Sequence, residues 1–103
     1  MAIAKTFNIE EIKETLYPVF TSNPVYSATL FGSYARGNAD GLSDVDIVID
    51  SRGELLNMSF YGVLDEICER LGKQVDLFEL SEIHDPSPLF SIIQEEGVRI
   101  YEK

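Results

Sequence analysis

The residues with most chemistry in this sequence are three aspartates, Asp44, Asp46 and Asp76, and the pair Gly32-Ser33. Asp44 and Asp46 stand two residues apart where a strand is expected to begin, and alternation along a strand turns both carboxylates to one face. Like charges held that closely call for a cation. An all-oxygen donor set suits a hard ion such as Mg²⁺, which keeps part of its water shell and shares its coordination with substrate phosphates. Such an ion would neutralise a leaving pyrophosphate and polarise a nucleophile. Asp76 interrupts the otherwise apolar run Val75-Asp76-Leu77-Phe78, where an unpaired buried acid would be costly. If its strand lies beside the one bearing Asp46, the carboxylates meet and their repulsion raises their pKa values in the absence of metal.

Gly32 and Ser33 supply the complementary half of a phosphate site. Gly32 has no Cβ, so backbone can approach a phosphate closely, and Ser33 offers a hydroxyl and an N–H at the start of a short helix. Taken singly these features are ordinary: Gly-Ser also reads as a capped turn, and Asp-x-Asp as a turn residue followed by a solvated strand edge. Their convergence within Gly32–Asp46 carries the signal, with a strand ending in Gly-Ser, a short segment ending Arg36-Gly37, and then Ser43-Asp44-Val45-Asp46.

The elements that must hold these residues follow from periodicity. A helix is expected over 8–20, with Asn8 as N-cap and Ile9, Ile12, Leu16 and Phe20 at helical spacing. Residues 25–31 are β-branched and aromatic and read as a strand, as do 45–49 after the turn-rich 38–43. A second helix over 60–71 carries Phe60, Val63, Leu64, Ile67 and Leu71 on one face, with Gly72 as C-cap. A strand over 74–80, a breaker-rich stretch over 81–88, a short helix over 89–96 and a strand over 98–101 complete the chain. Helices alternating with strands imply an α/β (α+β) fold, a mixed sheet of about four strands with helices mainly on one face. At 103 residues and 45% hydrophobic content, the expectation is a single domain over 1–103.

The joint pattern Gly32-Ser33-Tyr34-Ala35-Arg36-Gly37, Ser43-Asp44-Val45-Asp46 and Val75-Asp76-Leu77 resembles the signature of the minimal nucleotidyltransferases of the DNA polymerase β-like superfamily. That resemblance implies that Asp44 and Asp46 hold Mg²⁺, that Asp76 completes the triad and helps to activate the attacking group, and that Gly32 and Ser33 bind the triphosphate of an NTP, with ATP the expected substrate. It further implies that Arg36 and Ser43 support the nucleotide pocket. Larger members carry an additional helical domain for the second substrate; none is expected within these residues, so the acceptor is expected to be bound elsewhere, by a partner. The resemblance also implies a partner: short proteins of this kind pair with helical HEPN-type proteins as toxin and antitoxin, the nucleotidyltransferase neutralising the toxin, in some cases by adding AMP to a tyrosine. An antitoxin acting by contact alone, or a transferase for a small molecule such as an aminoglycoside, are the alternatives.

Composition narrows the setting. A net charge of -10, from 18 Asp and Glu against 8 Lys and Arg, disfavours binding to long nucleic acid, whose affinity comes largely from phosphate neutralisation. No apolar run approaches the roughly 20 residues of a membrane-spanning helix, and the opening MAIAKTFNIEEIKE lacks the apolar core of a secretory signal, so the expected compartment is the cytoplasm. The single cysteine, Cys68, reads as a small apolar side chain on its helix. His84 reads as a loop residue, Asp50 as a turn aspartate, and Lys73 as a solvated cation after a helix end; Tyr34 is open between packing and base contact. The stretch 40–46 lacks the glycine spacing and terminal glutamate of a calcium loop. Edge strands would allow a homo- or hetero-oligomer.

Overall fold

The computed structural model describes residues 6–55, 57–84 and 87–103. Residues 85 and 86 of the expected breaker stretch, and the first five residues, lie outside the described residues. Helix α1 spans Ile9–Thr21 and opens with a capping box. The Glu11 N–H donates to Asn8 Oδ1 at 2.8 Å, and the Asn8 N–H donates to Glu11 Oε1 at 3.0 Å, satisfying two donors that the first turn leaves free. Strand β1 is Ser27–Phe31, the short helix α2 is Ser33–Arg36 and strand β2 is Val45–Asp50. Helix α3, Met58–Leu71, ends at Gly72 in the left-handed conformation, as its sequence indicates. Strand β3, Val75–Glu79, a 3₁₀ turn at Leu80–Glu82, helix α4 at Pro88–Glu96 and strand β4 at Val98–Glu102 complete the described chain.

The strands form one sheet in the order β3-β2-β1-β4. β1 pairs antiparallel with both β2 and β4, and β2 runs parallel to β3. The parallel pair needs a crossover, which α3 provides. On one face, Ala28 and Leu30 of β1 and Ile47 and Ile49 of β2 meet Ile12, Leu16 and Val19 of α1 and Val63 and Ile67 of α3 in a single buried cluster. Each of the larger side chains contributes about 1.5–3 kcal/mol of burial. On the opposite face, Phe31 and Val48 are buried outside that cluster. There α4 lies against β1, and Thr29, Val48, Phe90 and Ile93 line a cavity of about 330 Å³. The expected mixed α+β sheet is therefore the observed one, with α1 and α3 covering one face and, among the described residues, α4 and Leu80 of the 3₁₀ turn against the other.

The end of β3 departs from the sequence reading. The strand expected to reach residue 80 ends at Glu79, because Glu79 turns back to accept from the Ser81 N–H at 3.2 Å and the Ser81 hydroxyl at 3.0 Å, starting the 3₁₀ turn. Its carboxyl group is buried and also accepts from the Ser51 N–H at 3.1 Å and the Ser51 hydroxyl, so a polar group inside the fold is matched by four donors. Cys68 is half-buried and packs on the edge of the main cluster. No helix among the described residues is long and apolar enough to cross a membrane.

Candidate active site

The parallel register places Asp46 directly beside Asp76, and the antiparallel register places Phe31 on the other side of Asp46. Two sequence-predicted acids, 30 positions apart, thus meet on adjacent strands. Asp46 is half-buried, and its carboxyl is pushed up to about 6. Burial is the main cause, followed by the charge of Asp76, a hydrogen bond shared with it, and the charge of Asp44; the Arg36 guanidinium opposes them. Loss of hydration and like charges both favour the protonated form.

Asp44 stands one residue before β2 begins and is exposed. The ladder between β2 and β3 starts at Val45 and Val75, so no position on β3 faces Asp44, and it sits at the rim of the pair instead of inside it. Among the described residues no three acidic, histidine or cysteine side chains converge to enclose a metal unaided. An all-oxygen pair with a third carboxylate at its edge nevertheless fits Mg²⁺, which takes its remaining ligands from water and substrate phosphate. The raised carboxyl of Asp46 supports the same fit, since a divalent cation would relieve the repulsion that the proton now relieves.

Gly32 ends β1 with φ 76° and ψ -153°, a conformation that side chains resist. A Cβ there would collide with Asp46 Oδ2 and lie 3.1 Å from its Cγ. The glycine therefore makes room for the central carboxylate. Ser33 opens α2, and its hydroxyl has no protein partner among the described residues. Gly37 closes the helix in the left-handed conformation at φ 80°.

The other predicted residues are placed as follows. Ser43 Oγ accepts the Asp40 N–H at 2.9 Å, and Asp40 Oδ1 accepts the Leu42 N–H at 2.8 Å. Ser43 is thus bound into the turn that delivers Asp44. Arg36 is exposed and pairs with Glu96 across 2.9 Å. Tyr34 is buried in the main cluster, with its hydroxyl buried and without a hydrogen-bond partner among the described residues. Asp50 Oδ1 accepts the Arg52 N–H at 2.9 Å, an ordinary turn contact away from the pair, and His84 is exposed. Lys73 is not merely solvated: its Nζ donates to the Gly41 carbonyl at 2.9 Å and so ties the loop before Asp44 to the start of β3.

A family model described as polymerase beta, nucleotidyltransferase matches residues 10–103. The chain belongs to that family. As a nucleotidyltransferase it is 37% identical over 78 residues to a Methanocaldococcus jannaschii protein to which protein adenylyltransferase activity is provisionally ascribed, the match covering 75% of this chain and 83% of the relative. A second relative from the same organism, with the same provisional ascription, is 42% identical over 64 residues, covering 60% of this chain and 64% of its own length. In shape the nucleotidyltransferase superimposes on a chain of a toxin–antitoxin crystal structure with AMP-PNP at a TM-score of 0.76 and 22% identity, covering 88% of this chain and 73% of that one. It also matches a chain from a complex of a tri-AMPylated HEPN toxin of Shewanella oneidensis with its MNT antitoxin, at a TM-score of 0.71 and 18% identity, covering 92% and 73% of the two chains. At those identities the likeness is one of fold.

Proposed function

We propose that this nucleotidyltransferase moves AMP from ATP to a hydroxyl of a partner protein, in the role of the antitoxin of a HEPN-type toxin. The observation that carries the reading is the Asp46–Asp76 pair, in register on adjacent parallel strands and packed against the glycine that starts the phosphate-facing turn. The adenylyltransferase ascription of the archaeal relative supports protein as acceptor. The AMPylated toxin in the structural neighbour supports a HEPN-type protein as that acceptor.

In this reading Asp44, Asp46 and Asp76 hold Mg²⁺, which when bound supplies charge neutralisation at the phosphates and a polarised acceptor oxygen. Gly32 and Ser33 offer backbone and hydroxyl donors to the triphosphate, Arg36 faces it as the neighbouring cation, and Ser43 fixes the turn that sets Asp44. The acceptor oxygen attacks the α-phosphorus in line with the departing pyrophosphate: the new O–P bond forms as the bond to the bridging oxygen breaks. The hydroxyl proton passes to Asp76, the more exposed member of the pair, and from there to solvent.

The test is transfer of label from α-labelled ATP to a purified HEPN-type partner in the presence of Mg²⁺. Wild type is expected to label the partner, and Asp44→Ala to reduce labelling by at least about 100-fold with its melting temperature preserved, because Asp44 is an exposed rim residue. Full labelling by the variant would refute the assignment. Neutralisation of the toxin without ATP would favour an antitoxin that acts by contact alone.

A further inference from the structure

Glu96, far from the motif in sequence, reaches into it. Its carboxylate pairs with Arg36 Nη1 at 2.9 Å across 60 positions of sequence. Its position is unusual for a helix. It is the last residue of α4, where the exposed carbonyls make a negative charge unfavourable. A glutamate placed there against the helix dipole needs a compensating cation, and Arg36 is that cation.

The stage on which Glu96 stands is also fixed. Gly97 follows it, and a Cβ on Gly97 would lie 2.7 Å from Thr29 Cγ2 and collide with the Ile93 carbonyl, so the end of α4 is pressed against β1 as only glycine permits. The Gly97 N–H donates to the Ile93 carbonyl at 2.9 Å, and Arg99 Nε donates to Thr29 Oγ1 at 3.2 Å from the other side. Gly97 and Arg99, the residues just after Glu96, are therefore held against β1, the strand that runs into Gly32. Arg36 by contrast is a long and half-exposed side chain on a helix of four residues; among the described residues Glu96 is its hydrogen-bonded partner, and Asp46 attracts it by charge alone.

We propose that Glu96 is a positioning residue for nucleotide binding: it holds Arg36 by one nitrogen on a rigid support, so that the remaining guanidinium donors are presented to the triphosphate. The inference rests on the reading of the site as one for ATP. A guanidinium has five N–H donors in a planar fork, so one carboxylate contact leaves donors for an incoming anion. Fixing the fork beforehand removes an ordering cost that binding would otherwise carry.

The sign of the effect distinguishes this role from its competitors. Glu96 is negative, and removing a negative charge beside a polyanion site strengthens binding if charge alone matters. Positioning predicts the reverse. The experiment is calorimetric titration of wild type, Glu96→Ala, Glu96→Gln and, as a charge control one residue away on the exposed side of α4, Glu95→Ala. Each is titrated with ATP and Mg²⁺, and separately with AMP. Glu96→Ala is expected to weaken ATP by about fivefold while AMP changes by less than about twofold, and Glu96→Gln, which keeps an acceptor oxygen, to recover part of the loss. Glu95→Ala should leave ATP at or slightly above wild-type affinity. In steady-state transfer the Glu96→Ala defect should appear in KM for ATP with kcat nearly unchanged. ATP affinity in Glu96→Ala equal to or tighter than wild type overturns the positioning role while leaving the site reading intact. Equal losses for ATP and AMP reduce Glu96 to a structural contact and likewise overturn it. Failure of wild type to bind ATP with Mg²⁺ removes the site reading and this inference with it.

Discussion

Asp46 carries two opposed demands: it must be ionised to hold a cation, and its surroundings favour the proton. Its carboxyl titrates at about 6 in the folded protein against an ordinary 3.8. Between those values the folded state keeps a proton that the unfolded chain has released. Stability is therefore greatest below the window and falls as pH rises through it. Because Asp46 is only half-buried, solvent screens the effect, and the residual cost of the ionised form is about 1 kcal/mol. In metal-free buffer near neutral pH, Asp46→Asn should melt a few degrees above wild type, the difference closing as pH falls below about 4. Added Mg²⁺ should raise the wild-type melting temperature and leave the variant little changed. Thermal melts across pH with and without Mg²⁺ check both, and a variant less stable than wild type at neutral pH would contradict the account. The aspartates were legible in the sequence because strand alternation is a local rule. Glu96 and Glu79 were not, since their partners lie 60 and 28 residues away; the only local hint was an acid at the wrong end of a helix.

At the scale of elements, periodicity located α1, α3, α4 and the strands of the sheet to within about two residues at each end, whereas the sequence indicates α2 only as a short helix opening at Ser33 and the 3₁₀ turn only as strand end and loop. The departures have particular causes. Val25 and Tyr26 share the composition of β1 but precede its ladder, which begins at Ser27, and Leu80 is drawn into the turn capped by Glu79. What composition left hidden was the strand order. The meeting of Asp46 and Asp76 depends on β3 lying parallel beside β2, a choice made by packing of α3 and not by either strand alone. The junction of β1 with α2 is the element on which the site turns, and Gly32→Ala tests it. Forcing a side chain into φ 76° should cost about 1–3 kcal/mol. Displacing Asp46 should lower transfer by at least about 100-fold, because misplacement by an ångström is enough for such losses. The paired measurement is a melt and a transfer assay; an active, stable Gly32→Ala protein would show that the close approach to Asp46 is dispensable.

For the whole molecule the dominant quantity is its net charge of -10, which repels nucleotide before any contact forms. Raising salt from about 10 mM to physiological strength shortens the screening length from about 30 Å to about 8 Å, so the association rate for ATP with Mg²⁺ should rise by about two- to threefold. Stopped-flow binding over that range reads the effect, and a falling rate would mean that the local field at Arg36 outweighs the molecular one. The strand order carries a consequence of another kind, for synthesis. β1 is central, yet its two neighbours arrive at different times: β2 emerges within some twenty residues of it, whereas β4 pairs Ser27 with Glu102, 75 positions later. During translation the nascent chain can dock β2 and then β3, but one edge of β1 stays open until residues 98–102 leave the ribosome. Pairing over such a separation is slow to form, and an unsatisfied edge invites other strands. The growing polypeptide thus carries an unfinished sheet until β4 emerges, and the strand made after the other three is the one that completes it.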